Sequence, residues 1–197
     1  MNGISDQIKS GARSFLVTEY KYLSVFVIAI VITLFVFYTT TTTAENGTME
    51  GLKYSLSFLA GAIFSAASGW SGMVAATDAN VRTTNAASSS GLNAALRVAF
   101  TGGAVAGFMV VGLGIAGLSI VFYVLTLFVE GDIDDVDTAA RLTMAADALA
   151  GFGFGASSIA LFSRVAGGIY TKAADVGKCS VNWSCARPMY TPLFFSH

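Results

Sequence analysis

The chain has 197 residues, of which 54% are hydrophobic and 12% charged, with a formal net charge of -1 and a mean hydropathy of +0.67. Too few polar side chains remain to coat a soluble domain of this length, so the apolar surplus must face lipid. The charge balance excludes nucleic-acid binding, which needs a concentrated basic patch.

Residues 1–21 read as an amphipathic cytoplasmic lead-in rather than a signal peptide, because the apolar run begins only after Lys21 and no small-residue cleavage site follows it. About 20 apolar residues are needed for one crossing of a bilayer, and four blocks meet that requirement. The first, Tyr22 to Thr40, is dense in Val, Ile and Phe and runs into a threonine tract, Thr39 to Thr43, that implies no chemistry. Asn46-Gly47-Thr48 matches a glycosylation acceptor, but so short a connection close to the membrane is read as unmodified. The second block, Leu52 to Ala76, is rich in Ala, Ser and Gly and carries Trp70 mid-span as a packing or lipid-facing aromatic. The third, Leu96 to Val129, is long enough to tilt or to project beyond the membrane. Asp132, Asp134, Asp135 and Asp137 follow it without the Gly and distal Glu of an EF-hand, and read as a solvated turn. The fourth runs from Leu142 to Lys172, with Asp147 near its start as either a helix cap or an ion-exit residue.

Small residues four apart recur within these blocks: Ser68 with Gly72, Gly103 with Gly107, and Gly151 with Gly155. Such pairs let helix backbones approach closely in lipid, so tight packing is expected at all three. Gly151-x-Gly153-x-Gly155 is not a nucleotide loop, since no strand precedes it, and rotor-ring subunits are typically shorter hairpins.

Positive charge sets the expected orientation. Lys9, Arg13, Lys21, Arg82, Arg97, Arg164, Lys172, Lys178 and Arg187, nine of the 11 Lys and Arg, fall on one side of the four spans; Lys53 and Arg141 fall on the other. The positive-inside rule then places both termini in the cytoplasm. Residues 178–197 differ in composition, holding both prolines, both cysteines (Cys179 and Cys185) and the single histidine, His197. The cysteine spacing fits no common zinc motif, and a terminal histidine is read as solvated. The segment reads as an alternative or mis-spliced end, a frame change or an incomplete gene model.

The chemistry-bearing stretch is Arg164 to Gly177, where an Arg, a Lys and an Asp emerge from a nearly charge-free segment. At about 100° per residue, Thr171 and Asp175 lie within about 20° of Arg164 on one helix face, with Lys172 about 80° to the side and Asp175 about 16 Å along the axis from Arg164. Intramembrane ionisable groups are costly and mark substrate or ion pathways. The alternative is a juxtamembrane end where Arg and Lys snorkel to the interface.

Gly151-Phe152-Gly153-Phe154-Gly155 through Ser163, together with Arg164 to Gly177, resembles the fifth membrane helix of membrane-bound, ion-pumping pyrophosphatases. Gly11-Ala12-Arg13-Ser14-Phe15-Leu16-Val17-Thr18-Glu19-Tyr20-Lys21-Tyr22 is similar to the start of that family's second helix, and Ala79-Asn80-Val81-Arg82-Thr83-Thr84 to the end of its third. The resemblance spans about Ile4 to Gly177 in family order; beyond it, Cys179 stands where the family has an aspartate. It implies an all-α, multi-pass membrane helix bundle, with 22–177 as four helices corresponding to helices two to five of a larger helical pump, and 178–197 outside the family. It further implies magnesium-dependent hydrolysis of diphosphate coupled to proton translocation, an arrangement in which Lys172 contacts diphosphate, Asp175 holds Mg2+ or positions the substrate, and Arg164 belongs to the ion gate. Potassium is left open as an activator. The family's homodimeric state and a vacuolar or other acidic endomembrane follow from the same resemblance. On this reading the chain is a truncated N-terminal portion that is inactive alone. The competing reading is a non-enzymatic four-helix membrane subunit or channel-like protein.

Overall fold

The computed structural model of the chain describes residues 2–41, 47–130 and 138–181. Four α-helices account for them: α1 (Asn2–Thr41), α2 (Gly47–Ser90), α3 (Leu92–Glu130) and α4 (Thr138–Val181). All four are long and apolar enough to cross a membrane. The absence of proline before position 188 removes the strongest helix breaker from this whole stretch. Many hydroxyl side chains inside the helices are satisfied by the preceding turn; Thr33 donates to the Ala29 carbonyl at 2.8 Å and Ser55 to the Gly51 carbonyl at 2.7 Å. That back-bonding lets hydroxyls lie at membrane depth without an unmet donor.

The helices differ from the sequence expectation at their ends. α1 starts at Asn2 and runs unbroken through the amphipathic lead-in to Thr41, and α2 extends past Ala76 to Ser90. Neither polar end carries a proline or a left-handed glycine to stop the helix until Gly91, whose φ of 82° makes the break between α2 and α3. Ala95 donates its backbone N–H to the Gly91 carbonyl at 3.3 Å, closing the first turn of α3.

The chain divides into two compact units, Met1–Phe162 and Ser163–His197, with the boundary inside α4. In the first unit α2 is central. Antiparallel packing against α1 is marked by Lys9 with Asp78, Tyr20 with Ala66, and Tyr38 stacked on Tyr54 at 3.9 Å between centroids. Glycines seat the other neighbours. At Gly117 of α3 a Cβ would meet the Phe64 and Phe152 rings at 2.8–3.0 Å, and at Gly61 of α2 it would collide with the Phe152 backbone oxygen. At Gly155 of α4 a Cβ would meet the Phe58 backbone oxygen at 2.1 Å, and at Gly151 the Tyr54 backbone oxygen at 3.0 Å. Of the three expected small-residue pairs, only Gly151 with Gly155 is a close-packing site. Gly103 and Gly107 have nothing within 4 Å, and Gly72 reaches only Ala106 at 4.0 Å. The reason for Gly103 and Gly107 is rotational: both lie on an exposed face of α3.

Leu23, Val27, Phe58, Ala62 and Ile159 form the main buried cluster, and Leu125, Ala145 and Ala148 a second. Outward-facing residues are as apolar as the core: Phe100 and Phe108 are 79% and 78% exposed. A helical membrane protein, whose solvent on that face is hydrocarbon, has this distribution.

Candidate functional site

The second unit carries the three residues singled out from sequence. Lys172 and Asp175, three apart on α4, are neighbours across one turn, and their ammonium and carboxylate stand 3.7 Å apart. Both side chains are open to their surroundings, at 84% and 72% exposure. Arg164, about two turns earlier on the same helix, is also exposed. Thr171 is occupied within the helix, donating to the Gly168 carbonyl at 2.9 Å. The structure therefore joins Lys172 to Asp175 and leaves Arg164 apart, as the helical rise requires. Asp147 is exposed on α4 in the first unit.

A Lys–Asp pair on a helix surface can do two things chemically. The ammonium offers three donors to an anion, and the carboxylate offers oxygens to a hard cation. Among the described residues no group of three or more His, Cys, Asp or Glu side chains could hold a metal ion. Asp175 alone does not fit Mg2+, which needs near-octahedral oxygen coordination. The acidic cluster Asp132 to Asp137, Asn46 of the Asn46-Gly47-Thr48 triplet, and Cys185 and His197 lie outside the described residues, and the side chain of Cys179 is likewise not described.

Sequence reasoning missed a second polar constellation, near the start of α1 in the first unit. Lys9 pairs with Asp78 at 2.5 Å, and the Arg13 guanidinium lies 5.8 Å from the Trp70 ring centroid. Tyr20 donates its phenol to the Ala66 carbonyl at 2.7 Å and packs against Trp70. The available signal was the spacing of Lys9 and Arg13, four apart on one helix face; what it faced could not be read without the fold. Trp70 is half-buried, consistent with a packing aromatic.

Comparison with known proteins bears on the whole chain. The family model described as inorganic H+ pyrophosphatase matches residues 1–181, a few residues beyond the Gly177 at which the resemblance was expected to stop. A K(+)-insensitive pyrophosphate-energized proton pump from Methanosarcina mazei is 41% identical over 177 residues, covering 90% of this chain and 22% of the relative. A putative K(+)-stimulated pyrophosphate-energized sodium pump from Clostridium tetani is 45% identical over 177 residues, with the same coverage of 90% and 22%. A K(+)-insensitive proton pump from Caldanaerobacter subterraneus is 40% identical over 184 residues, covering 90% of this chain and 24% of the relative. The chain thus spans less than a quarter of the length of these relatives. No solved structure matches.

Proposed function

The chain belongs to the inorganic H+ pyrophosphatase family, and from that premise we propose that it forms part of a diphosphate-driven proton pump. The observation that carries the reading is the Lys172–Asp175 pair, exposed at the end of a membrane-spanning helix and embedded in the family-matched region. Diphosphate carries several negative charges, so its recognition needs a cation placed beside oxygen ligands for the metal that accompanies it. Lys172 supplies the cation. Asp175 supplies one carboxylate oxygen pair and, being the only such group beside Lys172 on this helix, requires further ligands from other helices. Magnesium, when bound to a complete set, would neutralise the diphosphate oxygens and polarise the bond under attack. Arg164 stands deeper in the span, where a charge marks an ion path.

The positive-inside partition of Lys and Arg supports cytoplasmic termini and hence a cytoplasmic site. Protons then leave the cytosol, into the lumen of a vacuole or another acidic endomembrane. The working molecule is a homodimer of the longer chain. The relatives carry names that include potassium insensitivity and potassium stimulation, so activation by potassium is set by residues beyond those argued above.

The test is a chimera in which residues 1–177 replace the corresponding part of the Methanosarcina mazei pump. Lys172→Ala and Asp175→Ala should each lower magnesium-dependent phosphate release by about two or more orders of magnitude, the scale of losing one preorganised electrostatic contact to the reacting group. Insertion into the membrane should be unaffected. Undiminished hydrolysis in the Lys172→Ala chimera would remove the substrate contact from the reading.

A further inference from the structure

A pocket of about 250 Å³ lies between the start of α1 and the middle of α2, within the first unit. Leu16, Met73 and Val74 form its apolar wall, and Lys9, Arg13, Trp70, Thr77 and Asp78 line the rest. These polar groups are not equivalent. Lys9 and Asp78 stand 2.5 Å apart, so their charges offset one another, and the Thr77 hydroxyl donates to the Met73 carbonyl at 2.9 Å. Arg13 is the exception. Its guanidinium lies over the Trp70 ring, 5.8 Å from the centroid, and among the described residues it has no hydrogen bond or ion pair. A guanidinium engaged through an aromatic face keeps its in-plane N–H donors for a further acceptor. That fork of donors matches two oxygens of one phosphate.

Depth decides where that acceptor comes from. Tyr20 and Trp70 pack with ring centroids 6.4 Å apart, and the apolar run of α1 begins just past them, at Tyr22. Trp and Tyr concentrate at the membrane–water boundary, and this ring pair marks it here. By helical rise Arg13 lies about 10 Å and Lys9 about 16 Å outward of Tyr20, while the headgroup layer beyond the hydrocarbon is about 5–8 Å thick. The pocket thus spans that layer, with the Arg13 guanidinium at its inner end beside Trp70. A soluble anion would have to leave water to reach it. A phospholipid phosphate is already at that depth, and the apolar wall strengthens the contact by limiting water around it. The ammonium of a zwitterionic headgroup would meet a pocket whose one carboxylate is already held by Lys9, so a headgroup without an ammonium fits better.

We propose that this pocket holds the headgroup of one anionic phospholipid from the leaflet facing the start of α1, with its phosphate on Arg13 and the rest of the headgroup extending towards Lys9. The site is independent of the diphosphate chemistry at Lys172.

The test is native mass spectrometry of the purified 197-residue chain released from micelles containing equal amounts of phosphatidylglycerol and phosphatidylcholine. The chain should retain phosphatidylglycerol in preference, and Arg13→Gln should weaken that retention by about tenfold, the equivalent of one charge-assisted hydrogen bond. Lys21→Gln removes an exposed cation of α1 that does not line the pocket, and should leave retention unchanged. Val74→Trp fills the pocket from a side chain that is 48% exposed, so it should remove the lipid while helicity by circular dichroism is kept. Equal retention of the two lipids, or equal losses from Arg13→Gln and Lys21→Gln, would reveal diffuse attraction to the membrane and overturn the proposal. Displacement of phosphatidylglycerol by inorganic phosphate at constant ionic strength would assign the pocket to a soluble anion, with the same consequence. Retention should persist when residues 1–177 stand in the Methanosarcina mazei chimera; its loss there would show that a protein segment covers the pocket and would equally overturn the proposal.

Discussion

Lys172 and Asp175 meet at 3.7 Å with side chains 84% and 72% exposed, a geometry that contributes little to folding because solvent screens the attraction and two long side chains lose freedom. Stability therefore does not explain the pair. Lys172→Ala is expected to leave the thermal unfolding midpoint of the detergent-solubilised chain unchanged within error, as followed by circular dichroism; a marked drop would show a structural role. Arg164 differs in kind. It sits about two turns back towards the apolar part of α4, where no carboxylate is adjacent in sequence, so its expected contribution is to ion passage. In the chimera, Arg164→Ala should reduce proton uptake into inverted vesicles, followed by a pH-sensitive dye, at least as strongly as it reduces phosphate release. Intact pumping alongside impaired hydrolysis would place Arg164 with the substrate instead. Sequence chemistry identified these three residues as out of place in a membrane segment, but it left the juxtamembrane alternative open. The roles proposed for them rest on the family resemblance, because among the described residues Lys172 and Asp175 have only each other as a charged neighbour three apart on α4.

Between helices, glycine decides which contacts are close. A Cβ at Gly155 would collide with the Phe58 backbone oxygen, and one at Gly61 with that of Phe152, whereas one at Gly103 would meet nothing within 4 Å. Backbone atoms cannot swing aside as a side chain can, so Gly155→Val should destabilise the α2–α4 contact by about 1–3 kcal/mol, the usual cost of overpacking. Gly103→Val should be nearly silent. Unfolding both variants in a denaturing detergent series checks this, and equal losses at the two positions would contradict the packing described. Gly91 acts through the backbone alone: nothing lies near its absent Cβ, but its φ of 82° is left-handed. Gly91→Ala should therefore cost on the order of 1 kcal/mol in the same assay. The small-residue spacing in the sequence pointed equally to Gly103, Gly107, Gly151 and Gly155. It could not separate them, because spacing gives one face of a helix while the partner's position decides whether that face is used. Gly61, Gly102 and Gly117 make close approaches although they belong to none of those glycine pairs, because it is the position of the facing helix that selects them.

At the scale of the whole chain the four spans were legible, since each is a hydrophobic run of sufficient length and hydropathy alone marks it. Their polar extensions were not: Asn2 to Lys21 and Thr77 to Ser90 remain helical because nothing stops them, and absence of a stop signal is weaker than its presence. The partition of nine among 11 Lys and Arg to one side predicts that cysteines introduced at Ser10 and Ser88 are labelled from the cytoplasm and one at Thr42 from the opposite side. Labelling of Ser88 from the side that reaches Thr42 would reverse the orientation and remove a cytoplasmic diphosphate site. Orientation and catalysis separate in the last expectation, which concerns the 197-residue chain by itself. A polyanion accompanied by magnesium must be held by several oxygen ligands converging from different helices, because hydrated magnesium gives up water only to a near-octahedral set. After Gly153 the chain contains one acidic residue, Asp175, and no metal-holding group of three occurs among the described residues. Cys179, where a further aspartate would be expected, is a softer ligand ill suited to magnesium. The chain should accordingly insert into membranes of a host lacking its own pump yet release no phosphate from diphosphate above an empty-vector control. Magnesium-dependent release that Asp175→Ala abolishes would show instead that these four helices already assemble a complete site.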